Sequence, residues 1–415
     1  MKSGKELEKP VSERTLPGTM EQPVMPSSKM RILDIRKALP LKKQIRLAVG
    51  AFFFTQGLCF ASWASRIPDI KSMLGLSDAG LGSVLLALPV GSLASLPLSG
   101  WMVSKFGSKK MVINGAVMYS STLVAIGFIS MTWQLIGVLF FFGLFGNLVN
   151  IAVNTQAIGV ENMYKKSIMA SFHGAWSLAG FTGAAIGTFL VSKNIMPAYH
   201  FTAIALLCFS LMAISYRFTL RGKISSGSQP VFAKPDSALL RLGLIGFCGM
   251  ACEGAMFDWS GVYFQKVVEA PAHLTTLGYV AFMSTMSGGR FAGDWLANQL
   301  GRKKMLRLSG ILITSGLLLS VALPYIVPVV IGFMLVGFGV SSVVPLVYSA
   351  AGKSTTMSPS MALAAVSTIC FFGFLVGPPL IGFIAEALNL RYSFALVAVL
   401  GSFTAILSSK AKLIQ

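Results

Sequence analysis

From residue 46 onward the chain is a succession of long apolar runs separated by short polar connections. The runs cover roughly 46–65, 79–101, 111–131, 133–156, 167–191 and 197–216, then 240–263, 275–297, 305–323, 326–350, 361–385 and 391–409. A helix of about 20 residues crosses the hydrocarbon layer of a bilayer, so the pattern predicts twelve membrane-spanning helices. Twelve is even, and both ends of the chain are expected on one side. Residues 1–44 are different: prolines at 10, 17, 23, 26 and 40 alternate with mixed charge, and such a stretch cannot bury enough apolar surface to fold alone. The first apolar run begins near Leu47, too far into the chain for a signal peptide. A second polar stretch, rich in Ser, Gly, Pro and Lys, divides the runs six and six. The expected organisation is a disordered basic tail at 1–44, a six-helix half at 45–218, a linker at 219–238, a second six-helix half at 239–410 and a short tail at 411–415. The fold class is an all-α membrane protein.

Composition sharpens this picture. Hydrophobic residues make up 54% of the 415 positions and charged residues only 12%, about half of what a soluble surface uses. The net charge of +20 would suggest nucleic acid as the partner of a soluble protein. Position overrides the sum. With the N-terminus inside, 28 Lys and Arg fall on inner segments, Arg46 being counted with the tail, and five fall outside: Arg66, Lys71, Lys193, Lys266 and Arg391. That bias puts both termini in the cytoplasm and leaves no case for nucleic acid. The five cysteines lie within apolar runs, and Cys248 and Cys252, one turn apart, have no histidine or further thiol beside them. No disulfide framework, metal or cofactor is expected.

The two halves echo each other. Phe106-Gly107-Ser108-Lys109-Lys110 follows the second run, and Leu300-Gly301-Arg302-Lys303-Lys304 follows the eighth, 194 residues later. Ser62-Trp63-Ala64-Ser65 and Asp258-Trp259-Ser260-Gly261 end the first and seventh runs at an offset of 196. Matched landmarks at nearly one spacing indicate an internal duplication. The segment from Gly100 to Lys110, with Lys105 and Gly107 inside it, resembles the loop signature of the major facilitator superfamily, and Asp294 to Lys304 resembles its second copy. The resemblance spans residues 46–410. It implies two pseudo-symmetric six-helix halves and a cytoplasmic gate built from Gly100, Lys105, Gly107, Lys109, Lys110, Gly301, Arg302 and Lys303. Ser62 to Pro68, Phe172 to Ser177 and Glu253 to Ser260 resemble a bacterial inner-membrane branch related to rhizopine transport proteins. Two departures stand out. Ser104 and Asn298 occupy positions where the family usually has Asp, and Gly180-Phe181-Thr182-Gly183 lacks the proline typical of drug/proton antiporters.

Ionised groups in hydrocarbon cost at least about 2.5–3.5 kcal/mol, so they persist where they face a wet cavity or a partner. Glu253 lies near the middle of the seventh run and is the first candidate for proton coupling, either there or in a structural pair with His173 or Arg66. Asp258, a second candidate for proton coupling, lies five residues further out, level with Arg66 at the end of the first run. Since the family's first and seventh spans face each other, the two are expected to pair and close the outer mouth; alternatively Arg66 holds an anionic group of the substrate, or only snorkels to the interface. Asn147, Asn150 and Asn154 share one helical face, suited to hydroxyl-bearing solutes or to helix contacts. Gln56 has the same two readings. His173 and Trp176, three residues apart, suit proton relay and ring stacking, or plain packing. Trp259 and Tyr348 complete the candidate substrate-binding set. Arg290 and Asp294, one turn apart, are expected to satisfy each other near the inner gate.

These features predict a secondary transporter of a small polar solute such as a sugar or polyol, driven by proton symport through alternating access. Proton-driven efflux would use the same residues, and a transporter-like membrane sensor is a reading of another class. The three histidines, 173, 200 and 273, show no paired catalytic spacing and no Gly-Lys-Ser/Thr phosphate loop is present, so neither an enzyme nor an ATP-driven pump is expected. The expected partners are the solute, protons and the bilayer. The chain is expected to act as a monomer in the inner membrane.

Overall fold

The computed structural model describes residues 41–164, 168–220, 236–354, 356 and 359–410, apart from the side chains of residues 170, 294, 359–361, 364 and 410. Most of the expected N-terminal tail, most of the linker and residues 411–415 lie outside the described residues. The first helices are α1 (Leu41–Ala64), α2 (Ile67–Met73), α3 (Asp78–Leu85), α4 (Ala87–Phe106), α5 (Ser108–Ile126), α6 (Thr132–Tyr164), α7 (Met169–Ser192) and α8 (Pro197–Ser215). The remainder are α9 (Ser237–Lys266), α10 (Leu277–Leu300), α11 (Arg302–Ala322), α12 (Ile326–Val340), α13 (Val343–Ala351), α14 (Pro359–Ala387) and α15 (Leu390–Lys410). No strand occurs among the described residues. Helix α1 opens at Leu41, inside the stretch assigned to the tail.

Local chemistry explains where the rods begin and break. Ser77 caps α3 by accepting a hydrogen bond from the Gly80 amide, and Asp236 caps α9 by accepting from the amides of Ala238 and Leu239 at 3.0 and 2.7 Å. Those amides, the Leu239 bond first and then the Thr356 hydroxyl, hold the Asp236 carboxyl below its ordinary range. Two expected spans are interrupted. Helix α3 gives way to α4 at Leu86, three residues before Pro89, and α12 gives way to α13 at Ser341 and Ser342, just before Pro345. A proline lacks the amide donor and clashes with the carbonyl four residues back, which puts the defect where each break occurs.

Ten helical stretches among the described residues are long and apolar enough to cross a membrane. Helices α5 and α10 are outside that set. The first opens on Lys109 and Lys110 and carries Asn114, Ser120, Ser121 and Thr122, and the second carries Arg290 and Asp294.

The packing repeats. Helix α1 lies against α7 and α8 as α9 lies against α14 and α15; α6 receives α4 and α5 as α12 receives α10 and α11. The repeated loop is reproduced in backbone detail. Gly107 (φ 85°, ψ 146°) joins α4 to α5, and Gly301 (φ 79°, ψ 146°) joins α10 to α11. Their amides bond to Val103 and Ala297, again 194 residues apart. Positive φ at both points explains why glycine stands there. Within each set, glycines let backbones touch: a Cβ on Gly143 would meet the Leu88 carbonyl, and Gly316 and Gly332 would each strike the other's carbonyl oxygen.

The two sets meet along α3–α14 and α7–α10, with α2 against α9. Much of the polar bonding between them sits at the end of the bundle marked by Asp78. The Lys266 and Lys71 ammonium groups lie 2.8 and 2.9 Å from Asp78, and Glu386 accepts the Asp78 amide at 2.9 Å. Burial pulls the Lys71 ammonium below its ordinary range against the opposing pull of Asp78. Gln265 donates to Ser72 and Thr276 to Thr188 at the same end.

Candidate functional site

Glu253 stands midway along α9, the rod with the largest buried share among the membrane-length stretches. Its carboxylate is 2.8 Å from the Arg290 guanidinium on α10. A second Arg290 nitrogen donates to Ser177 Oγ on α7 at 2.9 Å, and the guanidinium carbon lies 5.3 Å from the Trp176 ring. One arginine therefore links α9 and α10 to α7 of the other set. Both ends of the pair keep some access, 21% for the Arg290 side chain and 11% for Glu253. Such a pair is held by its geometry and its extra bonds, since desolvation offsets most or all of the Coulomb attraction between buried charges.

This arrangement revises several expectations. Arg290 pairs with Glu253, while the side chain of Asp294 lies outside the described residues; Arg290 therefore belongs to the centre of the bundle. Arg66 does not pair with Asp258. It is 2% exposed, lies 2.6 Å from Asp69 in its own turn of chain, and donates from Nε to His200 Nδ1 at 3.1 Å. The short loop after α1 brings Asp69 three residues away, so a local carboxylate captures the arginine before α9 can. Asp258 is 7% exposed with no hydrogen bond or ion pair to any described residue. Trp259 is fully buried, its indole Nε1 without a partner among the described residues.

The other candidates have contacts of their own. Asn154 donates to Asn150 Oδ1 at 2.9 Å, Asn150 is exposed, and Asn147 Nδ2 is buried without a partner among the described residues. Gln56 donates to the Gly146 carbonyl at 3.0 Å, tying α1 to α6 one residue before this face begins. His173 is exposed and edge-on to Phe53 at 5.4 Å. Tyr348 is half-buried on α13, within electrostatic reach of Glu253. Among the signature-loop residues, Gly107 and Gly301 form the reversals described above. Gly100 faces open space, so no close approach requires glycine there. Lys105 lies over the rings of Trp101 and Phe106, and Lys109 over Tyr216. Lys110, Arg302 and Lys303 sit in the first turns of α5 and α11.

One feature escaped the sequence reading. Phe257, 3% exposed, is the hub of an aromatic cluster, with Phe60 at 5.0 Å, Phe282 at 5.6 Å, Phe374 at 6.3 Å and Trp176 at 6.5 Å. It joins α1 and α7 to α9, α10 and α14 one turn from Glu253. In sequence it is one of 30 phenylalanines, and nothing local distinguishes it. Among the described residues no three His, Cys, Asp or Glu converge as a metal site.

Comparison with known proteins agrees with this architecture. An MFS-type transporter of Yersinia pestis is 32% identical over 374 residues, covering 90% of this chain and 96% of that protein. Membrane protein MosC of Rhizobium meliloti is also 32% identical over 374 residues, covering 89% and 90%. Two solved structures share the fold at low identity. The nucleoside transporter NupG has a TM-score of 0.68 at 13% identity, covering 90% of this chain and 98% of its own. A bacterial homolog of the human lysosomal transporter Spinster, inward-facing and occupied, has a TM-score of 0.69 at 13% identity, covering 91% and 98%. The sequence profile of the Major Facilitator Superfamily matches residues 48–358 and again 277–411. The chain belongs to the Major Facilitator Superfamily, as a multi-pass transporter of the bacterial inner membrane.

Proposed function

We propose that this transporter moves a small polar solute by proton-coupled symport, with Glu253 as the principal coupling group. The observation that carries the reading is the Glu253–Arg290–Ser177 connection, a charge pair in the middle of the bundle that bridges the two helical sets. Protonation of Glu253 removes the negative partner of Arg290, which then needs another acceptor. A solute hydroxyl or carbonyl at the level of Trp176 and the asparagine face supplies one. Binding of proton and solute together thus replaces the resting pair: the proton alone leaves Arg290 without its partner, and the solute alone must compete with ionised Glu253 for it. Asp258, without a cationic partner among the described residues, is a second protonation point.

In this reading twelve spans form two six-helix halves with both termini in the cytoplasm, the orientation favoured by the 28 inner and five outer cations. The Asp78 end then faces the periplasm. Its bonds among Lys71, Asp78, Lys266 and Glu386 hold that side shut, and the aromatic hub at Phe257 seals the layer beneath. Alternating access requires these bonds to break as the halves rock. The test is transport in proteoliposomes by the Glu253→Gln variant. It is expected to lose accumulation against a gradient while retaining solute exchange, and unchanged accumulation would remove Glu253 from coupling.

A further inference from the structure

A crevice of about 360 Å³ opens on the side of the bundle between α1, α7 and α8, within the range of small-ligand sites, roughly 300–1,000 Å³. Gly50, Ala51, Phe54, Phe172 and Leu211 give it an apolar wall, and Arg46 stands at one end. Leu47 on its rim is 61% exposed and Leu178, one turn further along α7, is 48% exposed; in a membrane protein such faces meet lipid. Arg46 is half-buried, and its partners among the described residues are neutral: its guanidinium donates to Ser171 Oγ at 3.1 Å and lies 5.6 Å from the Tyr164 ring. A guanidinium has five N–H donors in a fork suited to phosphate, and these neutral contacts leave its charge unbalanced. Lys42 and Lys43, both exposed, lie in the preceding turn.

We propose that this crevice seats an anionic phospholipid of the cytoplasmic leaflet, its phosphate on Arg46 and one acyl chain along Gly50, Ala51 and Phe54. The charge complements the guanidinium, and the apolar wall beside it has the order of a lipid, head at the interface and chain toward the bilayer centre. The leaflet follows from the orientation proposed above; the site itself is independent of proton coupling.

Native mass spectrometry of the purified full chain tests it, with titration by phosphatidylglycerol, phosphatidylcholine of the same chains, and inorganic phosphate. Phosphatidylglycerol is expected to bind most tightly. Arg46→Gln should weaken it roughly fivefold, the effect of one basic residue at an anionic surface, and bring it close to phosphatidylcholine. Arg46→Lys should keep most of the preference. Gly50→Leu fills open space in the crevice and should weaken both lipids while leaving the charge in place. Unchanged phosphatidylglycerol binding in Arg46→Gln, equal binding of the two lipids by the wild type, or equal competition by inorganic phosphate would overturn the site. If Arg46→Gln does not fold, Gly50→Leu decides: wild-type affinity there also overturns it.

Discussion

Replacing Arg290 by Gln strands Glu253 on a rod with few other polar neighbours. At 2.8 Å the gross attraction is about 6 kcal/mol for an effective dielectric constant near 20. Desolvation of both groups offsets most of this. Removing one partner is nevertheless severe, about 3–5 kcal/mol for a fully buried pair, because the survivor keeps its desolvation cost. The 21% and 11% exposure of the two side chains admits some water, so about 2–3 kcal/mol is expected for Arg290→Gln. The double variant Glu253→Gln/Arg290→Gln removes both charges and leaves two amides able to bond each other, at a cost of about 1 kcal/mol. The double variant should therefore melt at a higher temperature than Arg290→Gln alone. The assay is thermal unfolding of the wild type, both single variants and the double variant in one detergent, arranged as a double-mutant cycle. Losses that add within about 0.5 kcal/mol would show that the two residues are uncoupled, and the argument from their pairing would fail.

Further outcomes follow from other parts of the structure. Asp78→Asn weakens the attachment of Lys71 and Lys266, so a Thr276→Cys thiol, placed at a position 1% exposed in the native chain, should react several-fold faster with a membrane-impermeant reagent added from the periplasmic side; an unchanged rate would show that these charges do not hold that end closed. Gly143→Ala drives a methyl into the Leu88 carbonyl and should cost about 1–3 kcal/mol as an overpacked seam, whereas Gly100→Ala meets open space and should be neutral in the same melting assay. Asp236→Ala removes the α9 cap and should cost about 1 kcal/mol. Because the folded carboxyl is held below its ordinary range, its contribution is present above the unfolded pKa near 3.9 and is lost as pH falls through the lower folded value; a wild-type and variant difference that persists fully below that window would contradict the capping role.

The all-helical pattern and the internal duplication were legible because each is written locally. Runs of apolar residues need no partner to be recognised, and Gly107 and Gly301 are fixed by the backbone angle of a single residue. The site was legible only in part. Glu253, Trp176 and the asparagine row stand out as polar or aromatic residues at membrane depth, but their partners do not follow from helical spacing. The one-turn rule pointed Arg290 to Asp294, whose side chain lies outside the described residues, and could not point to Glu253 on α9 or Ser177 on α7, which lie across helices. Arg66 erred the other way. A distant partner was expected, but the carboxylate that takes it is Asp69, three residues on in the first turn of α2. The break between α12 and α13 follows the same proline logic as the break between α3 and α4, yet apolarity continues past Pro345 and hid it.

At the Asp78 end of the seam between the two helical sets, Gly382 and Gly82 leave no room for even one added carbon: a Cβ on Gly382 would lie 2.5 Å from the Asp78 carbonyl oxygen, and one on Gly82 would lie 3.0 Å from that of Pro378. A single methyl group at either position is thus a wedge. In the transport cycle proposed above it penalises the shut arrangement and not the parted one, which makes this seam a place from which that equilibrium would be tilted without touching a charge or the proposed solute site.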